Sequence, residues 1–302
     1  MSEQKRNDVL ILVTNDDGID SPGLIAAVEA VVGLGRVVVV APTTQQTSRG
    51  RSMIGNWDDH LRPTELHGRS NLPFAEGIDP LGGIETYHID ASPALAVQHA
   101  MNTIFYRRWP DLLVSGINYG ENLGMDITIS GTVGAAFQGA AYGIPCIAAS
   151  QQSEIAHHYE YGPMDWEGAT RVVRSYAERM IAVIARSPAP DAPAGQRRLA
   201  GPRAFPFDIL KIDVPHECPP GTPERVCRLA RRHYFRHTID APTPKSLLSA
   251  GHTWVDEDPE LIAEGTDIHA VAFENVVAVT PLTVDCSADT EAAARVLGIQ
   301  SS

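Results

Sequence analysis

The sequence predicts an α/β fold: a mostly parallel sheet flanked by helices, followed by a strand-rich C-terminal extension that carries a long arm. Three observations predict it. Apolar runs at 9–13, 36–42, 111–118 and 144–150, rich in β-branched residues, alternate with helix-like segments, as buried parallel strands joined by right-handed crossovers do. The first and third runs end abruptly in polar residues, the signature of strand tips beside a ligand crevice. Beyond residue 187 the alternation gives way to mostly strand-like text.

Taken in order, the run 9–13 stops at Asn15, Asp16, Asp17 and Gly18 and so places acid at a strand tip. Ser21 as N-cap and Pro22 at the first helical position then open a helix whose stripe is Leu24, Ile25, Val28, Val31 and Val32. Two adjacent carboxylates at such a tip attract a hard cation, which makes this turn a candidate metal site. The same residue types also form ordinary turns, because Asn and Asp side chains bond nearby backbone. The run 36–42 is apolar throughout and opens into a hydroxyl- and amide-rich loop, 43–52. Arg49 and Arg51 in that loop are either solvated or placed to meet a phosphate. The stretch 54–83 is irregular, with short strands, and is followed by a strand at 85–90 and a helix opened by Ser92-Pro93 that reaches Phe105.

The segment 115–134 is dense in Gly, Asn, Ser and Thr and passes into a helix over 133–142. Glycine lets backbone N–H groups approach a ligand, and a helix N-terminus adds positive potential. Ser130-Gly131-Thr132 is therefore placed to cradle a phosphate. The plainer reading is a tight loop with Ser130 or Thr132 as N-cap. After the fourth strand, His157 and His158 read as solvated, since no third ligand has zinc spacing. A long helix over 166–186 leads to a linker-like stretch, 187–195, which divides the chain into an α/β domain, 1–187, and an extension, 188–302, packed on the same core. The extension holds strands at 208–214, 225–231 and 275–282, an arm at 234–254 and a final helix at 289–297. The arm is too polar for a core and too long for a turn, which suits an oligomer contact or a surface loop.

Composition narrows the partners. With 37 acidic against 24 basic residues and a net charge of −13, a nucleic acid polymer is disfavoured. Cys146, Cys218, Cys227 and Cys286 lack paired CxxC spacing and read as buried, inert thiols in a reducing compartment. No run approaches the ~20 apolar residues a membrane helix needs, and the first apolar run is too short for a signal-peptide core. The expectation is a soluble cytoplasmic protein without a membrane partner.

Assembled, these stretches resemble the survival protein SurE family of metal-dependent 5'-nucleotidases. The matching text is LVTNDDGIDSPG at 12–23, VVVVAP at 37–42 with its hydroxyl-bearing loop, SGINYGENLG at 115–124 and SGTVGAA at 130–136. Weaker echoes are IDVP at 212–215, RLARRHY at 228–234, GTD at 265–267 and VAVTPL at 277–282. The resemblance implies a Rossmann-like catalytic domain with a swapped oligomerisation arm or tail, as in a homodimer or homotetramer. It implies hydrolysis of nucleoside 5'-monophosphates, or of 3'-monophosphates, to nucleoside and phosphate with one divalent cation.

Carried over residue by residue, Asp16 and Asp17 match the catalytic, metal-binding carboxylates, and Asn118 matches an amide ligand. Asn15, Asn122, Ser130, Gly131 and Thr132 match the phosphate-contacting groups. The hydroxyl ligand after Ala41-Pro42 falls on Thr47, with Ser48 as the alternative. The chain departs from the family at Ala91-Ser92-Pro93, where Gly-Thr-Pro is common, and at Asp213, where Asn is common. Two carboxylates, a hydroxyl and an amide form an all-oxygen set that favours Mg²⁺ or Mn²⁺ over zinc. Either aspartate can serve as ligand or as general base. Two rivals remain at this point: a nucleotide- or metal-binding sensor without turnover, and a phosphatase acting through an aspartyl phosphate. The latter class spaces its aspartates Asp-x-Asp, whereas Asp16 and Asp17 are adjacent.

Overall fold

A computed structural model describes residues 9–66, 81–153, 162–186 and 204–300. Most of the irregular stretch after 66, His157 and His158, and the 187–195 linker with its boundary lie outside the described residues.

Strand β1 (Leu10–Thr14) is apolar on both faces because both faces are covered. Ile11 and Val13 join one hydrophobic layer and Leu10 and Leu12 the other. The chain continues through helix α1 (Pro22–Val31), β2 (Arg36–Pro42), β3 (Arg62–Thr64), β4 (Glu85–Ile89), α2 (Pro93–Asn102) and β5 (Leu112–Tyr119). Then follow α3 (Gly131–Ala141), β6 (Cys146–Gln151), α4 (Glu167–Ile184), β7 (Ile209–Val214) and β8 (Glu224–Val226). The last elements are β9 (Phe235–Ile239), β10 (Gly251–Val255), α5 (Asp267–Ala272), β11 (Val277–Leu282) and α6 (Thr290–Leu297). Helices α1 and α4 bury their apolar stripes against one face of the sheet, and α2 and α3 against the other.

Nine strands form one sheet in the order β3-β4-β2-β1-β5-β6-β7-β11-β8. From β4 across to β7 neighbouring strands are parallel, while β3 on β4 and β11 on β7 are antiparallel. From β1 the chain steps outward to β2 and β4, then returns to the opposite side of β1 as β5. The β1/β5 boundary is thus the point where strand order reverses, the place beyond whose strand tips open α/β sheets bind ligands. The C-terminal strands β7, β11 and β8 continue this same sheet.

Several expected boundaries shift for local reasons. Pro22 starts α1 as expected, but Ser21 makes no side-chain cap bond. Helix α2 stops before Phe105, because the Thr103 hydroxyl takes the His99 carbonyl at 2.7 Å and the Phe105 N–H turns back to Ala100 at 3.0 Å. The strand expected at 225–231 shortens to β8, since after Cys227 the chain leaves β11 and Arg228 bonds the Gly265 carbonyl. The arm is a β9–β10 antiparallel pair in its own small sheet. Cys146 and Cys227 are buried, but Cys218 is half-buried and Cys286 exposed, against the expectation of four buried thiols. Among the described residues no helix is long and apolar enough to cross a membrane.

Candidate metal and phosphate site

The residues after β1, the tip of β5 and the first turn of α3 meet at the sheet's reversal point. The Asp17 carboxylate accepts the Tyr119 N–H at 3.0 Å, which ties it to β5 next to Asn118. Asp16 turns toward α3, where its Oδ1 accepts the Thr132 hydroxyl and where the Thr132 and Gly131 N–H groups also bond it. A Cβ on Gly131 would lie 2.6 Å from Asp16 Oδ2, so glycine is what lets the helix end approach the carboxylate. One turn on, a Cβ on Gly134 would collide with the Gly50 carbonyl, so α3 also seats directly on the loop after β2. That loop closes over the other side, with the Gln46 N–H donating to the Asp16 carbonyl at 2.6 Å and the Gly50 N–H to Ile129 at 2.9 Å.

The remaining predicted residues divide by what they already hold. Asn15 is fully buried; its Nδ2 donates to the Gly18 carbonyl at 2.9 Å, and its Oδ1 has no partner among the described residues. Asn118 is half-buried and donates from Nδ2 to the Gly120 carbonyl at 2.6 Å, so its Oδ1 is the atom that could accept from or ligate a partner. Asn122 Nδ2 donates to Ser150 Oγ at 2.6 Å. Ser130 is the N-cap of α3 and accepts the Val133 N–H at 3.1 Å, while the Thr132 hydroxyl is committed to Asp16. The plainer capping reading therefore describes Ser130, and Thr132 orients a carboxylate. Thr47 and Ser48 are exposed in the loop beside Gln46, and among the described residues neither hydroxyl bonds Asp16 or Asp17. Ser48 stands at φ +61°. Arg51 donates to Gln138 on α3 at 2.9 Å, and Arg49 is exposed.

The electrostatics at Asp16 favour a positive charge beside it. Asp16 is 4% exposed, and burial pushes its carboxyl up to about 6 although the Thr132 hydroxyl and nearby N–H groups favour the ionised form. No ion-pair partner of Asp16 occurs among the described residues. A buried carboxylate in this position is costly unless a cation meets it. No group of three or more His, Cys, Asp or Glu side chains able to hold a metal occurs among the described residues, so amide and hydroxyl oxygens have to complete the shell. Two carboxylates, the orphaned Asn15 Oδ1 nearby and the Asn118 amide make a hard oxygen set that fits a divalent cation.

Sequence reading missed the groups behind this front. Glu121 is buried, accepts the Ser153 N–H at 3.2 Å, and is pushed up to about 7 by that burial. Ser150, Lys211 and Asp267 were missed too, and Asp213 stood out only as a departure from the family. The available signal was a Lys and an Asp alternating within the otherwise apolar text of β7, ILKIDV.

The family model of survival protein SurE matches residues 11–236, a span that contains every candidate ligand. The chain belongs to the SurE family. Relatives include the 5'-nucleotidase SurE of Methanocella arvoryzae, 36% identical over 284 residues, covering 92% of this chain and 93% of that protein. The 5'-nucleotidase SurE of Methanothrix thermoacetophila is 36% identical over 289 residues, covering 92% and 94%. Among solved structures, the SurE protein from Aquifex aeolicus superposes with a TM-score of 0.66 at 28% identity, covering 96% of this chain and 99% of that one.

Proposed function

We propose that this SurE chain is a metal-dependent 5'-nucleotidase that hydrolyses nucleoside 5'-monophosphates to nucleoside and phosphate, with 3'-monophosphates as further candidates. The observation that supports the reading is that the adjacent Asp16 and Asp17 at the tip of β1 are held by hydrogen bonds from two different elements, Asp17 by the Tyr119 N–H of β5 and Asp16 by Thr132 at the N-terminus of α3. The names of its relatives support it, each being a 5'-nucleotidase SurE.

Asp16, Asp17, the Asn118 amide oxygen and the Thr47 hydroxyl, with Ser48 in reserve, would hold one Mg²⁺ or Mn²⁺. When bound, such a cation neutralises charge on the transferring phosphoryl group and polarises a water. Thr132 and the Gly131 amide fix the Asp16 carboxylate in advance, so it does not reorganise during the reaction. The Tyr119 N–H does the same for Asp17. Asp16 or Asp17 would take the proton from the attacking water, the other serving as ligand alone. Asn122 and Asn15 would orient the substrate phosphate through the second hydrogen of each Nδ2 group, the first being held by Ser150 and Gly18, while the Ser130-capped end of α3 adds positive potential and its Gly131 and Thr132 N–H groups serve Asp16.

We assign the catalytic role to 1–187 and an extension role to 188–302; the joining of β7, β11 and β8 to the main sheet supports packing on the same core. Exposed Leu247 and Leu248 within the arm, between β9 and β10, and Val296, Leu297 and Ile299 at and just after the end of α6, support a homodimer or homotetramer. Four free thiols support a reducing, cytoplasmic setting.

The test is phosphate release from a panel of nucleoside monophosphates with Mg²⁺ or Mn²⁺, with and without chelator. Release abolished by chelation, and at least ~100-fold slower in Asp16→Asn, is expected. Tight nucleotide binding with no release would replace the enzyme by a sensor, and near-wild-type turnover in the variant would remove Asp16 from the mechanism.

A further inference from the structure

Behind the phosphate-facing turn lies a charged cluster that the reaction itself does not use. Lys211 and Asp213 on β7 and Asp267 at the start of α5 are each 0% exposed. Lys211 Nζ pairs with Asp213 directly and with Asp267 Oδ2 at 3.0 Å. Three buried charges are an expensive way to fill space, because apolar residues of similar volume are commonly neutral or stabilising in their place. Their hydrogen bonds indicate what they hold. Lys211 Nζ donates to the Asn122 carbonyl at 2.7 Å, and Asp213 Oδ1 accepts the Asn122 N–H at 2.8 Å. Asp267 Oδ2 accepts the Gly124 N–H at 3.0 Å, and its Oδ1 accepts the Ala230 N–H at 2.8 Å.

The peptide groups on both sides of Asn122 are thus gripped, one by a cation and one by an anion, from a neighbouring strand. Ser150 then fixes the carboxamide itself. We propose that Lys211, paired with Asp213 and Asp267, is a positioning residue for the substrate phosphate and acts through Asn122. The proposal rests on the reading of Asn122 as a phosphate contact. Charge-assisted hydrogen bonds to both flanking peptide groups leave the Asn122 backbone little freedom, so the direction of its side chain is set by β7 and not by the loop it belongs to. Burial draws the Lys211 ammonium toward neutrality, but the two carboxylates outweigh it and keep the lysine charged.

The experiment is a double-variant cycle on the full chain with Mn²⁺ held constant, using Lys211→Met, Asn122→Ala and both together. Two readouts are taken: calorimetric binding of inorganic phosphate, and kcat and KM for phosphate release from a nucleoside monophosphate. Each single variant is expected to weaken phosphate binding and raise KM by roughly 10- to 100-fold, the scale of an ångström-level misplacement. The double variant is expected to be no worse than the poorer single, because both remove the same contact. The Mn²⁺ activation constant is expected to stay at its wild-type value, since neither Lys211 nor Asn122 is among the residues that would hold the cation. Should Lys211→Met fail to fold, Lys211→Asn combined with Asp213→Asn removes two charges while keeping donors and acceptors, and it is expected to share the Asn122→Ala defect. Additive losses in the double variant, or unchanged phosphate binding in Lys211→Met or its substitute, overturn the positioning role. Full phosphate affinity in Asn122→Ala overturns it at its premise. A wild-type protein that binds phosphate but releases none from any monophosphate refutes the nucleotidase reading and leaves the binding cycle to decide this one.

Discussion

Asp16→Asn is expected to make the cation-free protein progressively more stable, relative to wild type, as pH rises. In the folded chain the buried Asp16 carboxyl holds its proton to about pH 6, against 3.8 for an unperturbed aspartate. Between those values the folded state binds more protons than the unfolded one, so the unfolding free energy falls as pH climbs through the window. The cost is complete above pH ~6. At about 1.4 kcal/mol per pKa unit the gap corresponds to about 3 kcal/mol, of which about 2 kcal/mol develops between pH ~4.5 and pH ~8. Asparagine does not titrate, so the variant escapes this loss; its fixed costs, such as a mismatched bond to Thr132, are the same at both pH values and cancel. Urea unfolding in chelator at the two pH values gives the four free energies required. Adding Mg²⁺ or Mn²⁺ at the higher pH then stabilises wild type and leaves the variant unchanged. A difference between the two proteins that does not move with pH, or moves toward wild type, refutes the claim that burial without a cation governs Asp16.

Other substitutions probe the same contacts. Thr132→Val removes a charge-assisted hydrogen bond worth about 1.5–3 kcal/mol and is expected to lower kcat/KM by roughly 10- to 100-fold, with Thr132→Ser close to wild type in the same assay. Gly131→Ala inserts a methyl 2.6 Å from Asp16 Oδ2; a displacement of that order is expected to reduce kcat/KM by about 100-fold while circular dichroism shows a folded protein. Ser130→Ala removes the cap of α3 and is expected to lower stability by about 1 kcal/mol in urea unfolding, with a smaller kinetic effect than Thr132→Val.

The parallel core is legible in the sequence because its strands are buried on both faces and read as unbroken apolar runs. Asp16 and Asp17 are legible for a related reason: an acidic pair that ends such a run has to lie at a strand tip. What the sequence hides is pairing at long range. That Thr132 serves Asp16, 116 positions away, follows only once α3 is docked beside β1. Lys211 and Asp213 alternate with apolar residues on one buried strand, which looks like an ordinary half-exposed edge until β6 and β11 are seen to flank it. The ends of α2 and β8 shift because single hydrogen bonds, from Thr103 and Arg228, outcompete the local pattern.

The most direct trial of the metal site is a titration of cation-free protein with Mn²⁺ in which bound metal, read by electron paramagnetic resonance, and phosphate release from a nucleoside 5'-monophosphate are followed in the same samples. One Mn²⁺ per chain, with turnover rising in proportion to occupancy and both lost when Asp16 and Asp17 are replaced together by Asn, is the predicted result. Full turnover at zero occupancy, or undiminished binding of Mn²⁺ in the doubly substituted protein, would contradict it.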